Sequence, residues 1–304
     1  MPIMNVDKNT FNALVVAQAA INYARKALPY GSANQYADIM ARRDGGESGA
    51  QSLKRLGYNR KAVDQMAQMP HGALPAQFGA SAQEQFATYL SALSAGVSLY
   101  YGAGNCGEHA YLTYHYLSTF GFPGLQLICA SSTSMDHAYT VLSWEGCRDW
   151  VVCDAWPSSP QACLWSQFFG NTGGPGRAPA FATQMRHNIT PQNMGTDLIG
   201  EAFGRLSPSF VKTLPPASRV TGYSAQQILT WLRSEKNGVY NHQSVLNQAT
   251  PGPVDYAYDG ARLSQVAPAG EQWTARLAKV IIETNNQLKV LDPALRYTTS
   301  HQVA

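Results

Sequence analysis

His137-Ala138-Tyr139-Thr140-Val141-Leu142-Ser143-Trp144, then Glu145-Gly146-Cys147-Arg148-Asp149, then Trp150-Val151-Val152-Cys153-Asp154-Ala155-Trp156, is the stretch that decides how this chain folds. Its two flanks are rich in β-branched and aromatic residues, and the link between them is short and polar, as in two antiparallel strands joined by a tight connection. A turn centred on Gly146-Cys147 places Tyr139 opposite Asp154 and His137 opposite Trp156. Side chains alternate along a strand, so His137, Tyr139, Asp154 and Trp156 then share one face. His137 and Asp154 become diagonal neighbours with Cβ atoms roughly 7 Å apart, within reach of an imidazole–carboxylate hydrogen bond.

Upstream, Gly104-Asn105-Cys106-Gly107-Glu108-His109-Ala110 leads into Tyr111-Leu112-Thr113-Tyr114-His115-Tyr116-Leu117. The spacing predicts a helix over about 107–120, stopped by Gly121 with Pro123 just beyond. Two stripes, Ala110-Tyr114-Leu117 and Leu112-Tyr116-Phe120, make it a helix buried on most sides. Cys106 stands where that helix begins. The unpaired N–H groups and partial positive charge of a helix N-terminus favour thiolate over thiol. With a strand over 125–130 preceding the hairpin, the segment reads as one helix packed on a small antiparallel sheet.

Cysteine, histidine and aspartate in this arrangement can cleave an acyl bond. The imidazole takes the thiol proton and later gives one to the leaving amine. The carboxylate fixes the imidazole tautomer and stabilises the imidazolium. Cys106, His137 and Asp154 are the expected nucleophile, base and orienting acid. The backbone N–H of Cys106 and the amide of Asn105 are the candidate oxyanion donors. His109, one helical turn from Cys106, is an alternative base. Glu108 suits the helix start without a catalytic role. The stripe Tyr111, Tyr114 and Tyr116 reads as packing, and 173–176 lacks the spacing of a phosphate loop.

Away from this segment the texture is helical. A helix is expected over 10–28, with Thr10 as cap and Phe11, Leu14, Ala17, Ile21, Ala24 and Leu28 on one face. Shorter helices are expected over 33–42 and 60–68, and a longer one runs from Ser81, with Glu84 completing a capping box, to about Tyr101. The first hundred residues thus read as all-helical. Strand texture ends near Trp156, a glycine-rich loop covers 170–177, and helices return over 196–204, 224–237 and 271–290. Three regions follow: helical 1–80, a catalytic core over 81–190, and a mainly helical 191–304 packed on that core.

A hydrophobic content of 45% with 13% charged residues describes a globular chain, and a net charge of +3 is too small to point to nucleic acid. No apolar run approaches the roughly 20 residues that span a bilayer, and the N-terminus lacks the layout of a cleaved signal peptide. The five cysteines contain no Cys-x-x-Cys pair and no zinc-ligand spacing, so neither a metal nor a cofactor is expected, and reduced thiols are favoured over two disulfides with one cysteine left over.

The order Asn105-Cys106-Gly107-Glu108, Asp136-His137-Ala138-Tyr139-Thr140-Val141 and Val151-Val152-Cys153-Asp154-Ala155-Trp156 resembles the papain-like cysteine superfamily in its transglutaminase-like branch, over about residues 104–157. It is most similar to the bacterial toxin and effector glutamine deamidases of the Pasteurella multocida toxin catalytic-domain type. The resemblance implies an α+β fold with a papain-like core inside helical extensions. It implies a thiol-dependent amide hydrolase acting through a thioester, with deamidation of a glutamine or asparagine side chain in a host or target-cell protein as the expected reaction. Proteolysis and transamidation are the alternatives on the same fold, and a binding protein on a papain-like scaffold is the non-catalytic one. It further implies export without a cleavable signal and action in a target cell's cytosol; a cytoplasmic enzyme is the alternative.

Overall fold

The computed structural model describes residues 2–34, 38, 51–120, 124–132, 137–157, 160–168, 181–188, 196–217, 220 and 254–268. The helices expected over 224–237 and 271–290 and the loop over 170–177 lie outside these residues, as does most of 33–42. The described chain is α+β.

The first long helix, α1 (Lys8–Ala27), is capped by Asp7 and not by Thr10. The Asp7 carboxylate accepts the Thr10 backbone N–H at 2.9 Å and the Thr10 hydroxyl at 2.7 Å, so Thr10 belongs to the first turn. Helix α2 (Gln51–Ala67) starts nine residues before the expected 60–68 segment. Tertiary contacts carry it through Gly57: Arg55 donates to the Tyr101 carbonyl at 2.8 Å and Asn59 to the Ser98 hydroxyl at 2.7 Å. Helix α3 (Ala82–Tyr101) begins at the Ser81–Glu84 capping box and ends at Gly102, whose φ of 71° is the left-handed cap conformation. Helix α4 (Cys106–Phe120) follows after four residues, and α5 (Leu198–Gly204) is capped by Asp197. Short α6 (Pro208–Val211) and α7 (Leu263–Val266) complete the described helices.

Strands β2 (Gln126–Ser132), β3 (Ala138–Ser143), β4 (Val151–Cys153), β5 (Cys163–Leu164) and β6 (Phe181–Asn188) form an antiparallel sheet in the order β5-β4-β3-β2-β6. The β3–β4 pairing, Thr140 with Cys153 and Leu142 with Val151, has the expected register. The turn lies elsewhere: Cys147 N–H donates to the Trp144 carbonyl, which centres it on Glu145-Gly146, with Gly146 at φ 85°. The connection is wider than two residues, yet it preserves the pairing: both faces of these strands are buried, in two different cores, and a one-residue slip would exchange them. Strands β5 and β6 and a second sheet have no counterpart in the sequence reading. In that sheet β1 (Ile3–Asn5) pairs in parallel with β7 (Asp255–Tyr258), which pairs with β8 (Ala261–Arg262). The first hundred residues are therefore not all-helical.

One face of the five-stranded sheet packs on α1 and α4. Phe11, Leu14 and Ile21 meet Leu112, Leu117, Leu127, Leu142 and Val151 in a single core. The other face carries Ile128, Tyr139, Val141 and Val152 under Trp165 and Phe168. Helix α4 is buried along most of its length, and Thr140 of β3 ties it to the sheet by donating to the Ala110 carbonyl at 2.9 Å. A second core joins α2, α3 and α5 through Met66, Phe78, Tyr89, Leu93 and Leu198. Gly96 is required there: a Cβ would stand 2.2 Å from the Phe203 ring.

Candidate active site

Helix α4 starts at a junction fastened from several sides. Ala103 bridges in parallel to Gly31, and Gly104 N–H donates to the Gly31 carbonyl at 3.1 Å. Glu108 reaches back to accept the Asn105 backbone N–H at 2.8 Å, as an N3 acid does at a capped helix. Gly104 makes this possible, because a Cβ there would lie 2.4 Å from Glu108 Cβ. Arg60 pairs with the same carboxylate at 3.3 Å. Cys106 is thereby set in the first turn, half-buried, beside backbone N–H groups that have no intrahelical acceptor.

His137 and Asp154 leave the ends of β3 and β4 and meet. His137 Nε2 donates to Asp154 Oδ2 at 2.6 Å, and Asp154 Oδ1 accepts the Trp156 N–H at 3.1 Å. Both side chains are buried. With Nε2 engaged, Nδ1 is the ring nitrogen turned from the carboxylate, and Cys106 lies near enough to the imidazole to help raise its pKa. Burial opposes charging the ring, but the Asp154 charge and hydrogen bond, helped by Cys106, outweigh it and hold its pKa well above the ordinary value. Trp156 covers the imidazole with ring centroids 4.7 Å apart, and its indole N–H donates to Asn34 Oδ1 at 2.9 Å.

The other expected residues stand as follows. Asn105 adjoins Cys106, but its side-chain oxygen accepts the Ala33 N–H at 3.0 Å, so the amide fastens the 31–34 segment to the helix start. His109 faces away from the thiol: its Nδ1 donates to the Asn105 carbonyl at 2.8 Å, and Nε2 accepts from Arg25 at 3.4 Å. Burial, followed by the Arg25 charge, drives its pKa down to about 4, which keeps it neutral and unsuited to the general base role. Among the tyrosines, Tyr114 is buried and Tyr116 stacks on Tyr23 with centroids 4.5 Å apart. Among the described residues no group of three or more His, Cys, Asp or Glu could hold a metal ion, and no helix is long and apolar enough to cross a membrane.

No protein-family model, no curated protein and no solved structure matches this chain. The site is therefore read from its own geometry.

Three of its residues had no place in the sequence reading. Asn34 holds the indole over the imidazole. Arg25 and Asp38 form a buried ion pair at 3.2 Å beneath the helix start. A signal for Arg25 is present in α1: with Gln18, seven residues earlier, it puts a polar residue inside a largely apolar buried face. Gln18 is also buried, and its side-chain oxygen accepts the Ala162 N–H at 3.0 Å.

Proposed function

We propose that this protein is a thiol-dependent amide hydrolase with Cys106 as nucleophile, His137 as acid–base and Asp154 as orienting acid, built on a papain-like core of the transglutaminase-like branch. The observation that carries the reading is the 2.6 Å bond from His137 Nε2 to Asp154 Oδ2, with Cys106 at the same imidazole. The carboxylate locks the tautomer whose Nδ1 can take the thiol proton. In the resulting thiolate–imidazolium pair, the sulfur attacks an amide carbonyl carbon to form a C–S bond. The carbonyl oxygen becomes an oxyanion facing the amides of the α4 first turn. His137 gives its proton to the departing nitrogen as the C–N bond breaks, leaving a thioester. Water, deprotonated by His137, then cleaves the thioester and releases the carboxylate and the thiol.

The proposed substrate is the side-chain amide of a glutamine or asparagine in another protein, so that ammonia leaves and the polypeptide stays whole. A target-cell protein reached by an exported form of this chain is the partner that fits the resemblance.

The test is intact-mass measurement of candidate partner proteins after incubation with the wild type and with Cys106→Ser. Exchange of one amide nitrogen for oxygen, absent with Cys106→Ser, supports deamidation. Amine adducts assign the thioester to transamidation, and fragments assign it to proteolysis. A stable complex with no covalent change contradicts the enzymatic reading.

A further inference from the structure

We propose that Arg25, paired with Asp38, is a positioning residue that holds the Cys106 and Asp154 sides of the site in register through one buried guanidinium. The inference rests on the catalytic reading of Cys106, His137 and Asp154.

The side chains of Arg25 and Asp38 are only 3% and 1% exposed. A buried ion pair is a poor source of stability, because desolvation cancels much of the attraction and apolar residues can replace it without loss. Its contacts indicate what it supplies. Arg25 Nη1 donates to the Ala155 carbonyl at 3.3 Å and to the Trp156 carbonyl at 3.5 Å, the two residues that follow Asp154. The same nitrogen lies 3.4 Å from His109 Nε2, and His109 Nδ1 donates to the Asn105 carbonyl, the peptide that precedes Cys106. One cation therefore joins the backbone beside the acid to the backbone beside the nucleophile.

Asp38 fixes that cation. Its Oδ1 accepts from Arg25 Nη2, and its Oδ2 accepts the Ser32 N–H at 2.8 Å. The carboxylate sits against Gly31, where a Cβ would approach it to 2.3 Å and where φ is 66°. Next along the chain, Ala33 N–H holds the Asn105 side chain and Asn34 holds the Trp156 indole. The ion pair thus anchors the segment that touches both sides of the site. A guanidinium suits this place because its planar fork donates in several fixed directions at once, which an ammonium does not.

The experiment measures the alkylation rate of Cys106 by iodoacetamide, resolved by peptide mass, against pH in the full chain. The variants are Arg25→Met/Asp38→Leu, which replaces the pair by apolar side chains, and Arg25→Lys, which keeps the charge and loses the fork. For the double variant the expected result is a melting temperature near that of the wild type, with Cys106 alkylation at pH 6 reduced at least about tenfold and its pH profile moved toward that of an ordinary thiol. Arg25→Lys gives a smaller loss in the same direction, and it carries the test alone if the double variant does not fold. A folded double variant, or Arg25→Lys, with the wild-type profile overturns the proposal and leaves the catalytic reading intact. A wild-type Cys106 no more reactive than Cys147 overturns both.

Discussion

His137 donates to Asp154 across 2.6 Å, although the two residues lie 17 positions apart and neither belongs to a described strand. The β3–β4 register brings them together, and the Trp156 ring covers the pair from solvent. Removing the proposed orienting acid should therefore damage chemistry as well as stability. Asp154→Asn is expected to lower turnover by about 10²- to 10⁴-fold, because the amide no longer enforces the tautomer that presents Nδ1 to the thiol. Steady-state rates, or Cys106 alkylation at pH 6, check it beside a thermal melt.

The same pair makes stability depend on pH with a defined sign. The folded-state pKa of His137 is raised despite burial, through Asp154 and Cys106, so its protonated form favours the native state. That contribution is complete below the unfolded pKa of about 6.5 and is lost as pH rises toward the folded value. Urea unfolding of wild type and Asp154→Asn should show the largest stability difference at pH 6, shrinking steadily through pH 9.

His109 works in the opposite direction. Burial and then Arg25 depress its pKa to about 4, so only the unfolded chain binds a proton as pH falls below about 6.5. Stability should fall by roughly 3 kcal/mol between pH 6.5 and pH 4 through this group alone. His109→Gln, which keeps an acceptor for Arg25 and does not titrate, should flatten that acid limb in the same denaturation series.

Two glycines should respond with opposite signs. Gly104→Ala forces a Cβ to within 2.4 Å of Glu108 Cβ and disturbs the cap that seats Cys106. It should cost about 1–3 kcal/mol and slow Cys106 alkylation. Gly57, exposed within α2, has nothing within 4 Å of an added Cβ. Gly57→Ala should add about 0.5–1 kcal/mol and leave Cys106 reactivity unchanged. Denaturant midpoints and site-resolved alkylation measure both.

The α+β class, the register of β3 with β4 and the start of α4 are legible in the sequence, since each rests on a local pattern. Alternation sets the strand faces, and Ser81 and Glu84 mark a helix start. What escaped depends on distant partners. A three-residue strand such as Ile3–Asn5 carries no periodicity, and its pairing with Asp255–Tyr258 spans most of the chain. Gly57 argues against a helix that Arg55 and Asn59 secure through contacts to α3. Within the site, Cys106, His137 and Asp154 could be named from residue type and spacing. Arg25 and Asn34 could not, because their roles exist only where α1, the 31–34 segment and the end of β4 converge.

The central claim is that His137 and Asp154 activate Cys106, and site-resolved alkylation tests it most directly. Burial pushes the thiols of Cys129, Cys153 and Cys163 up, which leaves the half-buried Cys106 and Cys147 to compete for iodoacetamide. Cys106 should react at least about tenfold faster than Cys147 at pH 6, with that advantage lost in His137→Ala. Equal rates at Cys106 and Cys147, or a Cys106 rate indifferent to His137→Ala, would contradict it.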